Sequence, residues 1–128
     1  MLLLAPLLQQ LNSMVTPQYL DAMLDDMIAH GYRMATVKMG VEYIGVSGIW
    51  VTTKLYSGKY LEMDNVVVAA SHRSKGIGHL LTDFVTAIAR QEGCAMLMLD
   101  AYLDNQKAHN FYESQGFVKR GYHFLKSL

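Results

Sequence analysis

One stretch decides the fold, because in it an apolar strand runs through a basic, glycine-containing loop into a helix: Val66-Val67-Val68-Ala69-Ala70-Ser71-His72-Arg73-Ser74-Lys75-Gly76-Ile77-Gly78. The β-branched start is typical of a strand, and apolar residues at helical spacing predict a helix from Gly76 to Arg90. Glycines let backbone N–H groups approach an anion, a helix N-terminus contributes positive dipole, and Arg73 and Lys75 add charge. The stretch predicts either an anion site or an ordinary strand-to-helix turn with solvated basic residues.

Two common nucleotide-binding motifs do not fit this loop. A dinucleotide fingerprint would need a third small residue where Leu81 stands. A phosphate-loop NTPase would need Ser or Thr after a Gly-Lys pair, whereas Gly58-Lys59 is followed by Tyr60. Both of these classes are therefore disfavoured.

The residues after the loop predict a crossover to a parallel strand. The helix presents one apolar face, formed by Ile77, Leu81, Phe84 and Ile88. The continuously apolar run from Cys94 to Leu99 suits a strand buried on both faces, as in a βαβ unit. A last helix is predicted from Asn105 to Gln115, and strand character returns at Phe117-Val118 and from Tyr122 to Leu125.

The residues before the loop predict two helices and three strands. The apolar segment from Met1 to Leu8 indicates a short helix of the domain. A second helix begins with Thr16 as N-cap and Pro17 in its first turn, ends near Gly31, and buries a face of Leu20, Met23, Leu24, Met27 and Ile28. Short turns then join three strands into an antiparallel meander, over Tyr32 to Met39, Tyr43 to Leu55 and Tyr60 to Ala69. Within the second strand, Gly45 and Gly48 indicate a bend or a bulge.

These elements predict an α/β (α+β) fold. We expect residues 1–128 to form a single domain, with a mixed, mostly antiparallel sheet of about six strands flanked by helices. A hydrophobic content of 52% supports a globular core, and no stretch has the composition of a flexible linker.

Charge and cysteine content exclude several functions. Lys plus Arg and Asp plus Glu each number 11, so no net charge attracts nucleic acid or a membrane surface. A lone cysteine, Cys94, excludes an intrachain disulfide and fits a reducing compartment. The apolar N-terminus lacks a basic start and is too short to span a bilayer, so we predict a cytoplasmic protein. The histidines have no metal-binding spacing, and no metal site is predicted.

Two motifs resemble the GNAT superfamily of N-acetyltransferases. Arg73-Ser74-Lys75-Gly76-Ile77-Gly78 matches the family's (Arg/Gln)-x-x-Gly-x-(Gly/Ala) acetyl-CoA signature. A later element, Asn105-x-x-Ala108-x-x-Phe111-Tyr112-Glu113-Ser114-Gln115-Gly116-Phe117, looks like the family's Asn-x-x-Ala-x-x-(aromatic/aliphatic)-Tyr-x-x-x-Gly-Phe pattern, in the expected order. The resemblance covers roughly Pro6 to the C-terminus and implies a GNAT-like acyl-CoA N-acyltransferase fold. The family usually opens with a further strand before its first helix, whereas this sequence starts at the helix. Three explanations are open: the strand is missing, the chain begins late, or a neighbouring chain covers that edge of the sheet.

The resemblance implies acetyl-CoA as cosubstrate and a set of residues that hold it. The backbone of Val66, Val67 and Val68 would bind the pantetheine arm as though it were an extra strand. The pyrophosphate would be held by Arg73, Ser74, Lys75, Gly76, Ile77, Gly78 and His79. Asn105, at the start of the last helix, would also contact CoA.

The resemblance also implies two catalytic residues, each with a structural alternative. Tyr112 takes the place of the general acid that protonates the leaving sulfur, or is a core aromatic. Glu62 lies where some members carry a base that deprotonates the amine through water, and Asp64 shares its face, or both simply face solvent. Tyr43, Trp50, Tyr56 and Tyr60 either line an acceptor pocket or serve in packing.

The function implied is direct acetyl transfer to a primary amine, on a small molecule or a peptide. The alternative is a catalytically silent CoA-binding regulatory module, and a purely structural protein would not bind CoA. Asp21, Asp25 and Asp26 hint at a cationic acceptor, although a solvated helix face also explains them. A homodimer through an uncovered sheet edge is plausible, whereas nucleic acid and membrane partners are not expected.

Overall fold

A computed structural model describes residues 4–128 of the chain. In chain order its elements are α1 (Ala5–Leu8), α2 (Pro17–Ala29), β1 (Arg33–Met39), β2 (Glu42–Lys54), β3 (Gly58–Val68), a 3₁₀ turn (Ala70–His72), α3 (Ile77–Gln91), β4 (Met96–Leu99) and α4 (Gln106–Ser114). Met1, Leu2 and Leu3, with which the predicted first helix starts, lie outside the described residues. No helix within residues 4–128 has the length and apolar character needed to cross a membrane.

Helix α2 begins where the sequence predicts. The Thr16 hydroxyl accepts a hydrogen bond from the backbone N–H of Tyr19 at 3.1 Å, and Pro17 occupies the first turn. The predicted apolar face is only partly confirmed, because Leu24 is buried while Met23 and Ile28 are 41% and 43% exposed. Part of this face therefore remains open to solvent.

The strands form one sheet in the order β1-β2-β3-β4. The pairs β1–β2 and β2–β3 are antiparallel, which confirms the meander, and β3–β4 is parallel, which confirms the crossover through α3. The predicted number of strands is wrong, because the sheet within residues 4–128 has four strands and not about six. The GNAT-like α/β architecture itself stands.

The C-terminal segment accounts for the missing strands. Phe117-Val118 and Tyr122 to Leu125 form no strand, and the side chains of Val118, Tyr122 and Phe124 are 79%, 73% and 96% exposed. Aromatic and β-branched residues favour a strand only where a neighbour supplies hydrogen bonds and a packing surface. Because this segment does not pair with β4, its strand-favouring composition does not produce a strand.

Strand β4 is shorter and more exposed than predicted. It starts at Met96 rather than Cys94, and Met96 is 42% exposed, so burial on both faces is wrong. The strand lies at the edge of the sheet, where one side of its backbone has no neighbour among the described strands.

Helices cover both faces of the sheet. On one face α1 and α2 pack over Ile44, Val46 and Val67, and on the other α3 packs over Ala35, Ile49, Leu61 and Met63. Leu81, Val85 and Ala89 form the buried stripe of α3. Phe84, which the sequence predicts to be buried, is 56% exposed, because the stripe runs one position further along the helix.

A bulge in β3 reverses which residues face which helix. Before the bulge Leu61 and Met63 face α3, whereas after it Val66 and Val68 face α3 and Val67 faces α1 and α2. Asn65 adopts left-handed backbone angles at this point, with φ at 51°. The partner strand shifts register between Val46 and Gly48, which confirms the predicted irregularity at Gly48.

Gly45 has a different reason to be glycine. A Cβ atom at Gly45 would lie 2.8 Å from a methyl carbon of Ile77. The absence of a side chain therefore lets α3 approach β2 closely.

Candidate functional site

Strands β3 and β4 separate at the end of β3. Their pairing runs from Tyr60–Met96 to Met63–Leu99 and then stops, while β3 continues to Val68 beside β2. Within residues 4–128, Val66, Val67 and Val68 thus have a strand neighbour on one side only. Their other backbone edge can accept an extended ligand.

The loop that follows is built to expose backbone N–H groups. Ser74 and Gly76 have φ angles of 64° and 80°, in the left-handed region. Gly76 is the N-cap of α3 and carries no side chain that could cap it, so the first-turn N–H groups remain available. Arg73 and Lys75 are exposed beside them, and Arg73 Nε donates to the Val68 carbonyl at 3.4 Å. The loop can therefore bind an anion.

Helix α4 packs against the start of α3. A Cβ atom at Gly78 would lie 3.1 Å from the ring of Phe111, so the glycine allows this close approach. His79 Nδ1 lies 2.7 Å from Gln115 Oε1, and its Nε2 lies 3.2 Å from Asp83. The two predicted motifs therefore meet in space.

Asn105 is the N-cap of α4. Its side-chain oxygen accepts a hydrogen bond from the backbone N–H of Ala108 at 3.2 Å. This capping hydrogen bond gives Asn105 a structural role. Its side-chain NH₂ group remains available to donate to another acceptor.

Tyr112 combines a packed ring with an accessible hydroxyl. Its ring lies edge-on to Phe111 and Phe117, with centroids 5.2 Å and 5.5 Å away. Within residues 4–128 no buried side-chain N or O atom lacks a hydrogen-bond partner, and the Tyr112 hydroxyl has none, so that oxygen reaches solvent. Burial of the ring raises the pKa of the phenol, which keeps it protonated at neutral pH.

Glu62 lies in an acidic group of side chains. Burial raises the pKa of its carboxyl, the carboxylates of Asp100 and Asp64 raise it further, and Lys54 and His123 act in the opposite direction. None of the ion pairs within residues 4–128 includes Glu62 or Asp64. A half-buried carboxylate with a raised pKa has the properties of a general base.

The raised pKa of Glu62 predicts a pH-dependent effect on stability. The folded state binds the Glu62 proton more tightly than the unfolded state, so stability falls as pH rises from the unfolded to the folded pKa. Glu62→Gln should therefore raise the melting temperature at pH 7, by a modest amount because the side chain is partly exposed, and leave it unchanged in acid. The control is Glu42→Gln, at the exposed first residue of β2, and a neutral-pH melting temperature lowered by Glu62→Gln would contradict the assignment.

Four residues brace the bulge in a network that the sequence analysis missed. Trp50 Nε1 donates to Asp64 Oδ2 at 3.0 Å, and Asn65 Nδ2 donates to the Tyr32 hydroxyl at 3.0 Å. The rings of Tyr32 and Trp50 are 5.0 Å apart, and burial raises the pKa of Tyr32 to about 12. The available signal was Asp64-Asn65 inside an apolar strand, because Asn tolerates left-handed angles.

A cavity of about 320 Å³ opens beside this network, between α1, α2 and the bulge. Asp64 and Asn65 line it from the sheet, and mostly apolar side chains of α1, α2 and the segment between them line the rest. Tyr43, Trp50, Tyr56 and Tyr60, the predicted pocket aromatics, do not line it. Tyr43 lines a second cavity, of about 340 Å³, together with Pro6 and Leu7 of α1. The other three have contacts elsewhere: the Lys54 ammonium lies 5.4 Å from the Tyr60 ring centroid, for example.

Comparison with a family model covers most of the chain. The family model described as "Acetyltransferase (GNAT) family" matches residues 5–117. Among curated proteins, the uncharacterized N-acetyltransferase YhdJ of Bacillus subtilis is 33% identical over 75 residues, which is 58% of this chain and 53% of that protein. The aminoalkylphosphonate N-acetyltransferase of Salmonella typhimurium is 28% identical over 98 residues, 76% of this chain and 62% of that protein. The match thus spans less than two thirds of each relative.

Solved structures share the fold at lower identity. A ribosomal-protein-alanine N-acetyltransferase from Brucella melitensis superposes with a TM-score of 0.82 at 19% identity, covering 98% of this chain and 91% of that one. An acetyltransferase from Trypanosoma brucei gives a TM-score of 0.79 at 23% identity, covering 96% and 89%.

Proposed function

The chain belongs to the GNAT acetyltransferase family, and from that membership we propose that it transfers the acetyl group of acetyl-CoA directly to a primary amine. The single observation that carries the proposal is the open edge of β3, which leads into the uncapped N-terminus of α3. An extended, amide-containing arm and a pyrophosphate need these two features side by side.

The residues present fit acetyl-CoA. Val66, Val67 and Val68 would bind the pantetheine amides through their free backbone edge, and the loop from Arg73 to Gly78 would bind the phosphates through N–H groups and two cations. His79 and Asn105 would extend this surface through α3 and α4. When bound, acetyl-CoA supplies an activated acetyl thioester, which is the chemistry the chain itself lacks.

The remaining roles belong to Tyr112 on α4 and to Glu62 and Asp64 on β3. Tyr112 holds a proton at its phenol oxygen and is accessible for donation to the leaving sulfur. Glu62 accepts a proton from the amine through water, and Asp64, fixed by Trp50, adds negative charge beside it. The relatives' names specify several different amines, which supports the reaction class without naming the acceptor. The single cysteine supports a reducing, cytoplasmic location.

The test is release of free CoA thiol from acetyl-CoA in the presence and absence of an amine panel. We expect amine-dependent release with a matching acetylated product. Arg73→Glu combined with Lys75→Glu should raise the KM for acetyl-CoA by about tenfold or more, because two cations that contact the phosphates are reversed. The matched control reverses Lys38 and Lys126 instead, two exposed residues outside both motifs. Tight acetyl-CoA binding without turnover across the panel would favour the silent module.

A further inference from the structure

The cavity between α1, α2 and the β3 bulge has an apolar wall and an acidic floor. The apolar side chains of this wall come from α1, α2 and the segment between them: Leu8, Leu11, Leu20, Met23, Leu24 and Met27. Two amides, Gln9 and Asn12, lie among them. Asp64 and Asn65 line it from the sheet. We propose that this cavity selects the acceptor, and that the acceptor is a small primary amine with an apolar body and no anionic group. The inference rests on the proposed transferase function and specifies its substrate class.

Within residues 4–128, part of the apolar surface of the cavity is left uncovered. Leu11, Tyr19 and Met23 are 49%, 57% and 41% exposed, although all three belong to one concave surface. Large apolar side chains grouped around a concavity are typical of a ligand site, because a ligand removes them from water. An alkyl or aromatic body fits this wall better than a sugar or a polyamine does.

The charge at the sheet side of the cavity selects a cation. Asp64 accepts hydrogen bonds from Trp50 Nε1 at 3.0 Å and from the Asn65 backbone N–H at 2.9 Å, both of them neutral donors. Within residues 4–128 no basic side chain lies within 4.0 Å of this carboxylate, and Glu62 on the same strand also lacks an ion pair. An ammonium group on the acceptor would supply the positive charge that Asp64 has no partner for within the described residues.

The lining also argues against anionic acceptors. None of the described residues around the cavity is Lys, Arg or His. A carboxylate or phosphate on the acceptor would therefore be placed beside Asp64 with amide donors but no cationic partner, at a cost in binding. Amino acids and phosphorylated amines are disfavoured on this ground.

The size of the cavity limits the acceptor to a small molecule. A volume of about 320 Å³ holds roughly ten non-hydrogen atoms, given about 30 Å³ per water-sized unit. A phenylalkylamine or a hexylamine fills this space, whereas a folded peptide or an aminoglycoside exceeds it.

Binding and turnover of a matched set of compounds test the inference. The probes are 2-phenylethylamine, its neutral analogue 2-phenylethanol, its carboxylated analogue phenylalanine, and spermidine. Saturation-transfer NMR with the protein alone should detect 2-phenylethylamine and place it at Met23 and Leu20. Its kcat/KM should exceed those of phenylalanine and spermidine by about tenfold or more, since one unpaired charge costs at least that factor.

Two variants test the contributions of the Asp64 charge and of the apolar wall separately. Asp64→Asn keeps an acceptor for Trp50 and should raise the dissociation constant of 2-phenylethylamine by about tenfold, while leaving that of 2-phenylethanol unchanged. Met23→Ala, on the exposed rim, should shift preference toward the longer 4-phenylbutylamine. Asp104→Asn, in the exposed segment before α4, is the control.

Three results would overturn the inference: preference for spermidine or phenylalanine, no binding of 2-phenylethylamine to the protein, or equal affinity in Asp64→Asn. The proposed function fails in a different way, through the absence of acetyl-CoA binding. Acetyl transfer to spermidine alone would thus contradict the inference about the acceptor and would still support the proposed transferase function. Amine binding in the cavity without acetyl-CoA binding would contradict the transferase and would leave the cavity as an amine-binding site that selects no acceptor.

Discussion

Tyr112→Phe is expected to lower kcat for acetyl transfer by about 10²-fold or more, which is the contribution typical of a general acid. The phenylalanine ring keeps the edge-on contacts with Phe111 and Phe117, so the fold should be retained. The Tyr112 hydroxyl has no hydrogen-bond partner within residues 4–128, so its removal leaves no other polar group without a partner. We therefore expect a loss of kcat with little change in melting temperature or in the KM for acetyl-CoA.

Steady-state kinetics beside a melting curve check this expectation. The matched control is Tyr102→Phe, because the Tyr102 side chain is 83% exposed and the residue's hydrogen bonds with α4 use its backbone carbonyl. If Tyr112→Phe kept full kcat, Tyr112 would be a core aromatic, and another donor would have to protonate the leaving sulfur.

Gly48→Ala is expected to destabilise the domain by about 3 kcal/mol and to lower activity at the same time. A Cβ atom at Gly48 would clash with the Tyr32 hydroxyl and lie 2.6 Å from the backbone oxygen of Asp64. The backbone oxygen cannot rotate away as a flexible side chain would, so β2 and β3 must separate at the bulge. That movement displaces Asp64 and Asn65, which line the proposed acceptor cavity.

Thermal unfolding measures the effect, which should be a fall of roughly 10 °C for a domain of this size. Gly121→Ala is the control, because a Cβ atom at Gly121 meets nothing within 4 Å. An unchanged melting temperature in Gly48→Ala would show that the close approach of Tyr32, Gly48 and Asp64 is not maintained in solution.

Local signals in the sequence are sufficient for the elements that depend on local chemistry. Thr16 and Pro17 mark the start of α2 through a cap and a fixed φ, and both act within one turn. The strand–loop–helix from Val66 to Gly78 is equally local, and Gly76 lies where the backbone turns into α3. These predictions needed no knowledge of distant residues.

Predictions that depend on a partner element were weaker. The segments at Phe117-Val118 and Tyr122 to Leu125 have strand composition, yet a strand also needs a neighbour, and no local pattern reveals whether one is present. Phe84 failed for a related reason: both Phe84 and Val85 fit a helical stripe, and only the packing of α3 on the sheet selects Val85.

The predictions for the candidate site differ in the same way. The loop residues follow from a contiguous motif, whereas the network of Tyr32, Trp50, Asp64 and Asn65 joins three strand segments across the sheet. A one-residue bulge changes which face each later residue of β3 occupies, so simple alternation cannot extend from Glu62 to Val67. Asp64 was recognised only as a neighbour of Glu62, and its place in the cavity required the structure.

Calorimetric titration of the purified protein with acetyl-CoA tests the central assignment most directly, since it measures the cofactor site without any acceptor. We predict one-to-one binding that Arg73→Glu with Lys75→Glu abolishes, and a ligand concentration about 100-fold above Kd should stabilise the fold by about 2.7 kcal/mol. A folded protein that shows neither heat of binding nor any rise in melting temperature with acetyl-CoA would contradict the site at β3 and α3, and with it the transferase.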